Sequence, residues 1–301
     1  AKCGAIQEAH EAFDQLPTRN VASWSTLFSG YVENGQCEEA LDLFEKMQLD
    51  DGIKPDVVSF VCILRACGII GALDKGEEIH SKICQMGLFV NNLSIGNAVV
   101  DMYAKCGEVK KAQEMFDQLS NPDSVSWSII IAGYMEHGHS KEALECFEQL
   151  VQEGLSANET SYVCILKACT SIGDIDKGQE IYLEVVRKGL LKKNILISNA
   201  IVDMLVKCGA LVKAQEIFDE LPRQDVILWT TLISGYAQLD KGYEALDCFS
   251  QMQREGISPN EVTFVCILKA CGSVGAIDKG KQIHEEIVQK GILGKNIMLG
   301  N

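Results

Sequence analysis

This 301-residue chain contains thirteen cysteines, which could form disulfides, bind metals or act as nucleophiles. Zinc sites and redox pairs usually place cysteines close together in sequence, and no C-x-x-C motif is present. Nine of the cysteines instead recur at a regular distance, in three sets: Cys62, Cys164 and Cys266; Cys67, Cys169 and Cys271; Cys3, Cys106 and Cys208. We therefore expect small core residues, and the odd number of thiols indicates a reducing compartment.

Two short motifs resemble nucleotide-binding or metal-binding signatures. The segment GAIDKGK from Gly275 is similar to a phosphate-binding loop, but Gln282 replaces the required Ser or Thr and no strand precedes it. His284 and Glu286 match half of a zinc deaminase signature whose P-C-x-x-C half is absent. His80 occupies the same position in an earlier copy, on an apolar helix stripe. We expect a packed histidine there, and no cofactor, no metal and no catalytic residue in the chain.

A repeating scaffold positions all of these residues. The segment NAVVDMYAKCGEVKKAQEMFDQL at 97–119 returns as NAIVDMLVKCGALVKAQEIFDEL at 199–221, shifted by 102 residues, and a truncated copy occupies 1–16. Such a period indicates a repeat array that forms one continuous body. We predict a single array over 1–301 with these units: 1–20 (partial), 21–56, 57–92, 93–123, 124–158, 159–194, 195–225, 226–260, 261–296 and 297–301 (start only).

Each complete unit shows two helical periodicities separated by a glycine. In the first, an apolar stripe from Trp24 to Tyr31 is broken at Asn34-Gly35 and resumes from Ala40 to Met47. No strand pattern is present, so we predict an all-α fold, an α-solenoid of helix-turn-helix hairpins. Glycines recur inside one helix of the 36-residue unit, which suggests close helix packing: Gly76, Gly178 and Gly280. The longest apolar runs, such as 60–64, are far too short for a membrane span.

The unit sequences resemble pentatricopeptide repeats. The motifs on which this resemblance rests are WSTLFSGY from Trp24, EALDLFEKM from Glu39 and GIKPD from Gly52. Unit lengths of 35 or 36, 36 and 31, with FVCILRACG from Phe60 and GNAVVDMYAKCG from Gly96, resemble the PLS subclass. We label the units P (21–56, 124–158, 226–260), L (57–92, 159–194, 261–296) and S (93–123 and 195–225, with a partial S unit at 1–20 and the start of another at 297–301). The tetratricopeptide repeat, with W-x-x-L-G-x-x-Y, fits neither Gly30-Tyr31 nor the 31-residue unit.

This resemblance implies a right-handed superhelix that binds single-stranded RNA, one base per unit, through the fifth and last residue of each unit. The pairs are Ser25 with Asp56, Asn97 with Asp123, Ser128 with Asn158, Asn199 with Asp225, and Thr230 with Asn260. Their chemistry is consistent, because an aspartate accepts from the imino N–H of guanine or uracil and an asparagine amide donates to adenine or cytosine. A small hydroxyl leaves room for a purine. The family's code then gives the target G-n-U-A-n-U-A-n.

Other positions follow from the same resemblance. The second residue of each unit corresponds to an apolar clamp that sandwiches a base: Ala22, Val125 and Ile227 in P units, Ser94 and Leu196 in S units. The L units carry Val61 with Asn92, Val163 with Asn194, and Val265 with Asn296. Because valine cannot form hydrogen bonds, we interpret the L units as weakly selective or as spacers. They are also the predicted surface for organellar RNA editing factor proteins.

Two simpler interpretations remain open. Ser, Thr, Asn and Asp are preferred at helix N-termini, so the pairs could be caps alone.

The net charge of −15 is unusual for a nucleic-acid binder. The predicted first helices carry slightly more basic than acidic residues, so the acidity lies elsewhere. Their basic residues are candidate phosphate contacts or solvated helix charges: Arg65, Lys105, Lys167, Lys207 and Lys269.

The sequence thus predicts a non-enzymatic, sequence-specific RNA-binding array, with no membrane and no small-molecule substrate. The resemblance implies a recognition module for C-to-U editing in chloroplasts or mitochondria, with a deaminase domain beyond this chain. We see no transit peptide, and both ends fall inside S units, so we hypothesise an excised or consensus-derived segment. The alternative is a peptide-binding scaffold of tetratricopeptide type, which the acidic charge favours.

Overall fold

Helices and the turns between them make up the computed structural model, which describes residues 6–49 and 52–291. The helices in these ranges are α1 Ile6–Asp14, α2 Val21–Glu33, α3 Cys37–Leu49, α4 Val57–Ile70, α5 Leu73–Gln85, α6 Leu88–Asn91, α7 Leu93–Lys105, α8 Val109–Asp117, α9 Ser124–Glu136, α10 Ser140–Gln152, α11 Glu159–Ile172, α12 Ile175–Arg187, α13 Ile195–Lys207, α14 Leu211–Glu220, α15 Val226–Gln238, α16 Gly242–Arg254, α17 Glu261–Val274 and α18 Ile277–Gln289. The predictions at Cys3, Asn296 and 297–301 lie outside the described residues. None of the helices described is long and apolar enough to span a membrane.

The chain divides into two compact units, Ala1–Cys164 and Ile165–Asn301. In the first, α2–α3, α7–α8 and α9–α10 are hairpins, and the first helices α2, α4, α7 and α9 pack on one another in order. In the second, α13–α14, α15–α16 and α17–α18 are hairpins, and α15 packs against both α13 and α17. Each compact unit is therefore a stack of helical hairpins, which confirms the all-α solenoid class. The superhelix handedness and the single 1–301 array stay predictions.

A repeated aromatic contact holds each P unit to the S unit before it. The rings of Trp24 and Phe13 lie 4.5 Å apart edge-to-face, and the Trp229 and Phe218 rings repeat this geometry at 4.5 Å. Both tryptophans are fully buried. Edge-to-face aromatic pairs contribute roughly 0.5–1.5 kcal/mol beyond their burial. The sequence stripe that begins at each tryptophan is therefore the core face of the first helix.

Close packing at the L-unit glycines is confirmed at two of the three predicted positions. A methyl group at Gly76 would lie 2.5 Å from the Sδ atom of the buried Met102, and one at Gly178 would lie 3.0 Å from Sδ of Met204. At Gly280 the nearest atom would be Cβ of Cys271 at 3.7 Å, an ordinary contact. The methionine comes from the following S unit, which for Gly280 lies outside the described residues.

Two features of the turns were not predicted. Gly35 follows α2 at φ +77°, at the predicted break. The equivalent turn after α15 instead uses Asp240 at φ +55°, a conformation that aspartate tolerates better than most residues. The L unit at 57–92 also contains a third helix, the single turn α6. It begins after Gly87 at φ +65° and buries Phe89, whose ring lies 5.4 Å from that of His80.

Candidate nucleic-acid interface

The last residue of each unit caps the first helix of the next unit. Oδ1 of Asp56 accepts from the backbone N–H of Ser59 at 2.8 Å, and Oδ1 of Asn260 accepts from that of Thr263 at 2.9 Å. Asp123, Asn158 and Asp225 use Oδ1 in the same way on α9, α11 and α15. The last residues are therefore helix caps, while the further interpretation that the pairs are caps alone stays untested. Capping uses one side-chain atom per residue and leaves the other, Oδ2 or Nδ2, for a second partner.

The fifth residues lie on the first helices directly beside these caps. Their side chains are almost fully buried, with 4% exposure for Ser25, 6% for Ser128, 7% for Thr230 and 8% for Asn199. Asn97 is half-buried. In four of the five predicted pairs, the side chain of the fifth residue forms a hydrogen bond within the described chain. The exception is the pair of Asn97 with Asp123.

In the first P unit, three side chains form a connected cluster. The hydroxyls of Ser25 and Ser59 lie 2.8 Å apart. Both hydroxyls also reach Oδ1 of Asp56, Ser59 at 2.8 Å and Ser25 at 3.2 Å. The predicted pair is therefore joined both directly and through Ser59, which belongs to the following L unit.

The third P unit repeats this cluster with different side chains. The hydroxyls of Thr230 and Thr263 lie 2.7 Å apart, and Thr263 donates to Oδ1 of Asn260 at 2.9 Å. Thr230 also lies 2.6 Å from the carbonyl oxygen of Val226 one turn earlier. Because Oδ1 of Asn260 receives both a backbone N–H and a hydroxyl, its amide is fixed with Nδ2 pointing away from the cap.

The second P unit carries the same residue types in another arrangement. Ser128 donates to the carbonyl oxygen of Val125 at 2.8 Å, within its own helix. Ser161 donates to Oδ1 of Asn158 at 3.2 Å, and Nδ2 of Asn158 donates to the carbonyl oxygen of Ser124 at 3.3 Å. The fifth and last residues are thus each held by the backbone rather than by each other.

The two S-unit pairs also differ. Nδ2 of Asn199 donates directly to Asp225, at 3.1 Å to Oδ2 and 3.4 Å to Oδ1. Oδ1 of Asn199 and Oδ1 of Asn97 are buried without a hydrogen-bond partner in the described residues. A buried unpaired polar atom destabilises the fold by about 1–3 kcal/mol, and both occur at positions predicted to read a base.

Apolar side chains flank the clusters and form clefts. One cleft of ≈ 280 Å³ is lined by Ile227, Thr230, Asn260 and Val262, and one of ≈ 400 Å³ by the equivalent Ala22, Ser25, Asp56 and Val58. Val262 is 57% exposed and Val58 53%. These two valines occupy the second position of L units, which the sequence analysis did not select. Their equivalence to Ile227 was the available signal. Among the other predicted clamps, Val125, Leu196 and Ser94 are also exposed.

The five candidate phosphate contacts separate into two groups. Lys105 pairs with Asp101 at 2.6 Å and Lys207 with Asp203 at 2.8 Å, each one turn along its own helix. Arg65, Lys167 and Lys269 are exposed, and no ion pair joins them to another of the described residues. Their charge is available to an anionic ligand. Lys105 and Lys207 each already have a carboxylate partner.

The L-unit positions differ from the coding pairs. Val61, Val163 and Val265 are half-buried, and Asn92 and Asn194 cap α7 and α13 through Oδ1. The valines provide no hydrogen-bonding group beside the cap, in agreement with the predicted lack of a coding pair. Asn296 lies outside the described residues.

The cysteines and histidines form no site in the described chain. No three His, Cys, Asp or Glu side chains there could hold a metal. Burial raises the pKa of Cys67 and of Cys146 to about 12, so both thiols stay protonated and poorly nucleophilic. His80 is packed as expected, with Nδ1 3.0 Å from the Tyr103 hydroxyl, and burial lowers its pKa. His284, at the same position, is exposed.

Solved structures of the pentatricopeptide repeat protein PPR10 are similar to this chain. The chain aligns with PPR10 bound to an 18-nucleotide psaJ RNA element at a TM-score of 0.73 and 18% identity, over 93% of this chain and 42% of that one. With PPR10 alone the TM-score is 0.61 at 17% identity, over 94% of this chain and 46% of that one. At this identity the likeness shows a shared fold.

Sequence relatives are closer. The chain is 32% identical over 300 residues to the chloroplastic pentatricopeptide repeat-containing protein At1g15510 of Arabidopsis thaliana, covering 99% of this chain and 34% of the relative. It is 34% identical over 288 residues to the putative mitochondrial protein At3g13770 of the same family and organism, covering 95% and 45%. The chain thus spans well under two thirds of the length of these relatives.

Family models match along most of the chain. The model described as PPR repeat family matches residues 19–68, 122–171 and 224–273. The model described as PPR repeat matches 97–121, 160–190, 197–226 and 262–292. Together with the hairpin fold and the relatives, these matches establish that the chain belongs to the pentatricopeptide repeat family.

Proposed function

We propose that this chain binds single-stranded RNA sequence-specifically, with one base held at each P and S unit. The observation that carries the proposal is the cleft around Thr230 and Asn260. It combines two exposed apolar walls, Ile227 and Val262, with a polar floor whose Nδ2 amide points away from the cap. An apolar sandwich with a few fixed polar groups suits a planar base. PPR10, which shares the fold, is bound to RNA in its crystal structure.

The proposed target follows from the order of the pairs along the sequence. Asp56 offers an acceptor and Asn158 and Asn260 offer donors, while the S-unit aspartates offer acceptors beside a longer asparagine. The proposed reading is G-n-U-A-n-U-A-n. The L units are spacers or weakly selective sites. Arg65, Lys167 and Lys269, which form no ion pair within the described residues, contact phosphates.

The proposed biological role is recognition in organellar C-to-U RNA editing. Alternating unit lengths of the PLS type support this role, and relatives named chloroplastic or mitochondrial support an organellar location. A deaminase would act on the transcript that the array selects, and editing-factor proteins would dock on the L units. The chain itself would bind without catalysis.

The decisive test is equilibrium binding to a labelled RNA that contains G-n-U-A-n-U-A-n, compared with the same RNA carrying cytosine at the first coded uracil. Wild type is expected to prefer uracil, and Asp123→Asn is expected to shift the preference towards cytosine, because the acceptor becomes a donor. Asp247→Asn is the charge-matched control, since Asp247 is an exposed carboxylate on the second helix α16.

The competing function is peptide binding, which the net charge of −15 favours. If wild type binds neither RNA better than a scrambled one, the RNA proposal fails and a basic peptide becomes the ligand to test. If Asp247→Asn shifts the preference as much as Asp123→Asn, the assignment of Asp123 is wrong.

A further inference from the structure

A buried hydroxyl at the third position of each L unit lies beside the predicted pair of the preceding P unit. Ser59, Ser161 and Thr263 are each fully buried. In two of the three cases this hydroxyl lies within hydrogen-bond distance of both members of the pair, at Ser25 and Asp56 and at Thr230 and Asn260. Nothing about capping requires the contact to the fifth residue.

The hydroxyl protons of the Thr230 cluster are all used internally. Thr230 and Thr263 supply one proton each, and the acceptors in reach are the Val226 carbonyl, Oδ1 of Asn260 and the two hydroxyl oxygens themselves. Each possible distribution places both protons inside the cluster. Towards the cleft, Thr230 therefore presents only lone pairs, and Asn260 presents only Nδ2–H.

The Ser25 cluster follows the same rule with a different outcome. The protons of Ser25 and Ser59 are directed to Oδ1 of Asp56 or to each other. Ser25 again presents lone pairs, and the free atom of the last residue is Oδ2, also an acceptor. The Thr230 cluster therefore presents one donor and one acceptor to its cleft, and the Ser25 cluster presents two acceptors.

We propose that Thr263 and Ser59 are positioning residues for base selection: their buried hydroxyls hold the fifth residue as an acceptor and fix which atom of the last residue faces the base. This inference rests on the proposed RNA-binding function. Donor plus acceptor complements adenine, whose N1 accepts and whose N6 amino group donates. Acceptor plus acceptor complements guanine, whose N1–H and N2 amino group both donate.

Adenine and guanine are both purines and differ in hydrogen-bond polarity, so the third hydroxyl should control the choice between them. Adenine and cytosine present the same polarity and differ in size, so that choice should depend on the space above Thr230 and be unaffected.

The test uses Thr263→Val, which removes the hydroxyl at nearly constant volume, and Thr263→Ser, which keeps it. Dissociation constants are measured for the full chain with adenine, guanine or cytosine at the base assigned to Thr230 and Asn260. Thr263→Val is expected to reduce the adenine-over-guanine ratio about fivefold, the worth of one neutral hydrogen bond. Thr263→Ser should keep the wild-type ratio, and the adenine-over-cytosine ratio should stay constant in both.

The internal control is the base assigned to Asn199 and Asp225, where uracil-over-cytosine selectivity should not change. A purely structural role for Thr263 would weaken binding to all RNAs alike and leave the ratios intact, which would overturn the inference. Ser59→Ala, read as guanine over adenine at the first P unit, provides a second measurement if Thr263→Val does not fold. Wild type without base preference would overturn the proposed function, and this inference with it.

Discussion

Two pairs with the same predicted specificity are held in different ways. Thr230 and Asn260 are linked through Thr263, whereas Ser128 is bonded to the Val125 carbonyl and Asn158 to the Ser124 carbonyl. Both serine and threonine hydroxyls can bond a carbonyl one turn earlier in a helix. Threonine is more restricted at χ1, and here its oxygen reaches the i−4 carbonyl and the next unit together.

The difference teaches that residue identity at the two coding positions does not determine how firmly they are presented. Asn158 gives one Nδ2 hydrogen to its own unit, while Nδ2 of Asn260 donates to no acceptor in the described part of the chain. We therefore expect the Thr230 site to discriminate bases more strongly than the Ser128 site.

The largest effect is expected from Asn260→Asp. The substitution keeps Oδ1 for the cap and replaces the Nδ2 donor with an acceptor, so guanine should become preferred over adenine at that base. A well-placed base contact is worth about 1–3 kcal/mol, or roughly fivefold to 140-fold in dissociation constant. Asn158→Asp should change the preference in the same direction by less. Equal changes at the two sites, measured by titration of matched RNAs, would remove the basis of the comparison.

Gly133→Ala tests the helix packing beneath the Ser128 site. Gly133 lies on α9, and a methyl group there would be 2.7 Å from Cβ of Ala104, which cannot rotate away. We expect a loss of about 1–3 kcal/mol in the free energy of unfolding, measured by urea denaturation followed by circular dichroism.

The matched control for Gly133→Ala is Gly272→Ala on α17, where a methyl group would have no heavy atom within 4 Å. Because alanine favours the helix over glycine, this variant should gain up to about 1 kcal/mol. A gain in both variants would mean that α7 and α9 are not in close contact at Gly133.

Much of this organisation could be predicted from the sequence because it depends on local patterns. The stripe from Trp24, the break at Gly35 and the helix caps at Asp56 and Asn260 are all visible in the order of residues. The equivalence of units also identified His80 as packed. Such features need only the period of the repeat and the propensities of single residues.

The rest depends on contacts between units. The role of Thr263 could not be predicted, since its contact with Thr230 spans 33 residues and its rotamer is set by packing. The extra helix α6 does not follow from periodicity. The second wall at Val262 was in principle visible, because Val262 holds the same position in its unit as Ile227. The pairing of Lys207 with Asp203 was in principle visible, because the two residues are four apart on one helix.

Exchanging serine and threonine at the fifth position tests whether the hydroxyl type sets the difference between the Ser128 and Thr230 sites. Ser128→Thr should direct the hydroxyl towards Ser161 and raise the adenine-over-guanine ratio at the second P unit by about threefold, part of one hydrogen bond. Thr230→Ser should lower the ratio at the third P unit by a similar factor. The same RNA titrations measure both. A lower ratio in Ser128→Thr would show that the methyl group blocks the cleft rather than orienting the hydroxyl.

The smallest effect is expected at the cations, and it separates electrostatic binding from base selection. For single strands, each phosphate contact contributes about 0.7 to the slope of log K against log salt concentration. Lys269→Gln should reduce the slope by about that amount, since Lys269 is exposed and unpaired within the described chain. Lys207→Gln should change it less, because Asp203 already lies 2.8 Å from its Nζ. Neither variant should alter the adenine-over-guanine ratio. A larger slope change in Lys207→Gln would mean that RNA displaces Asp203 and that the ion pair opens on binding.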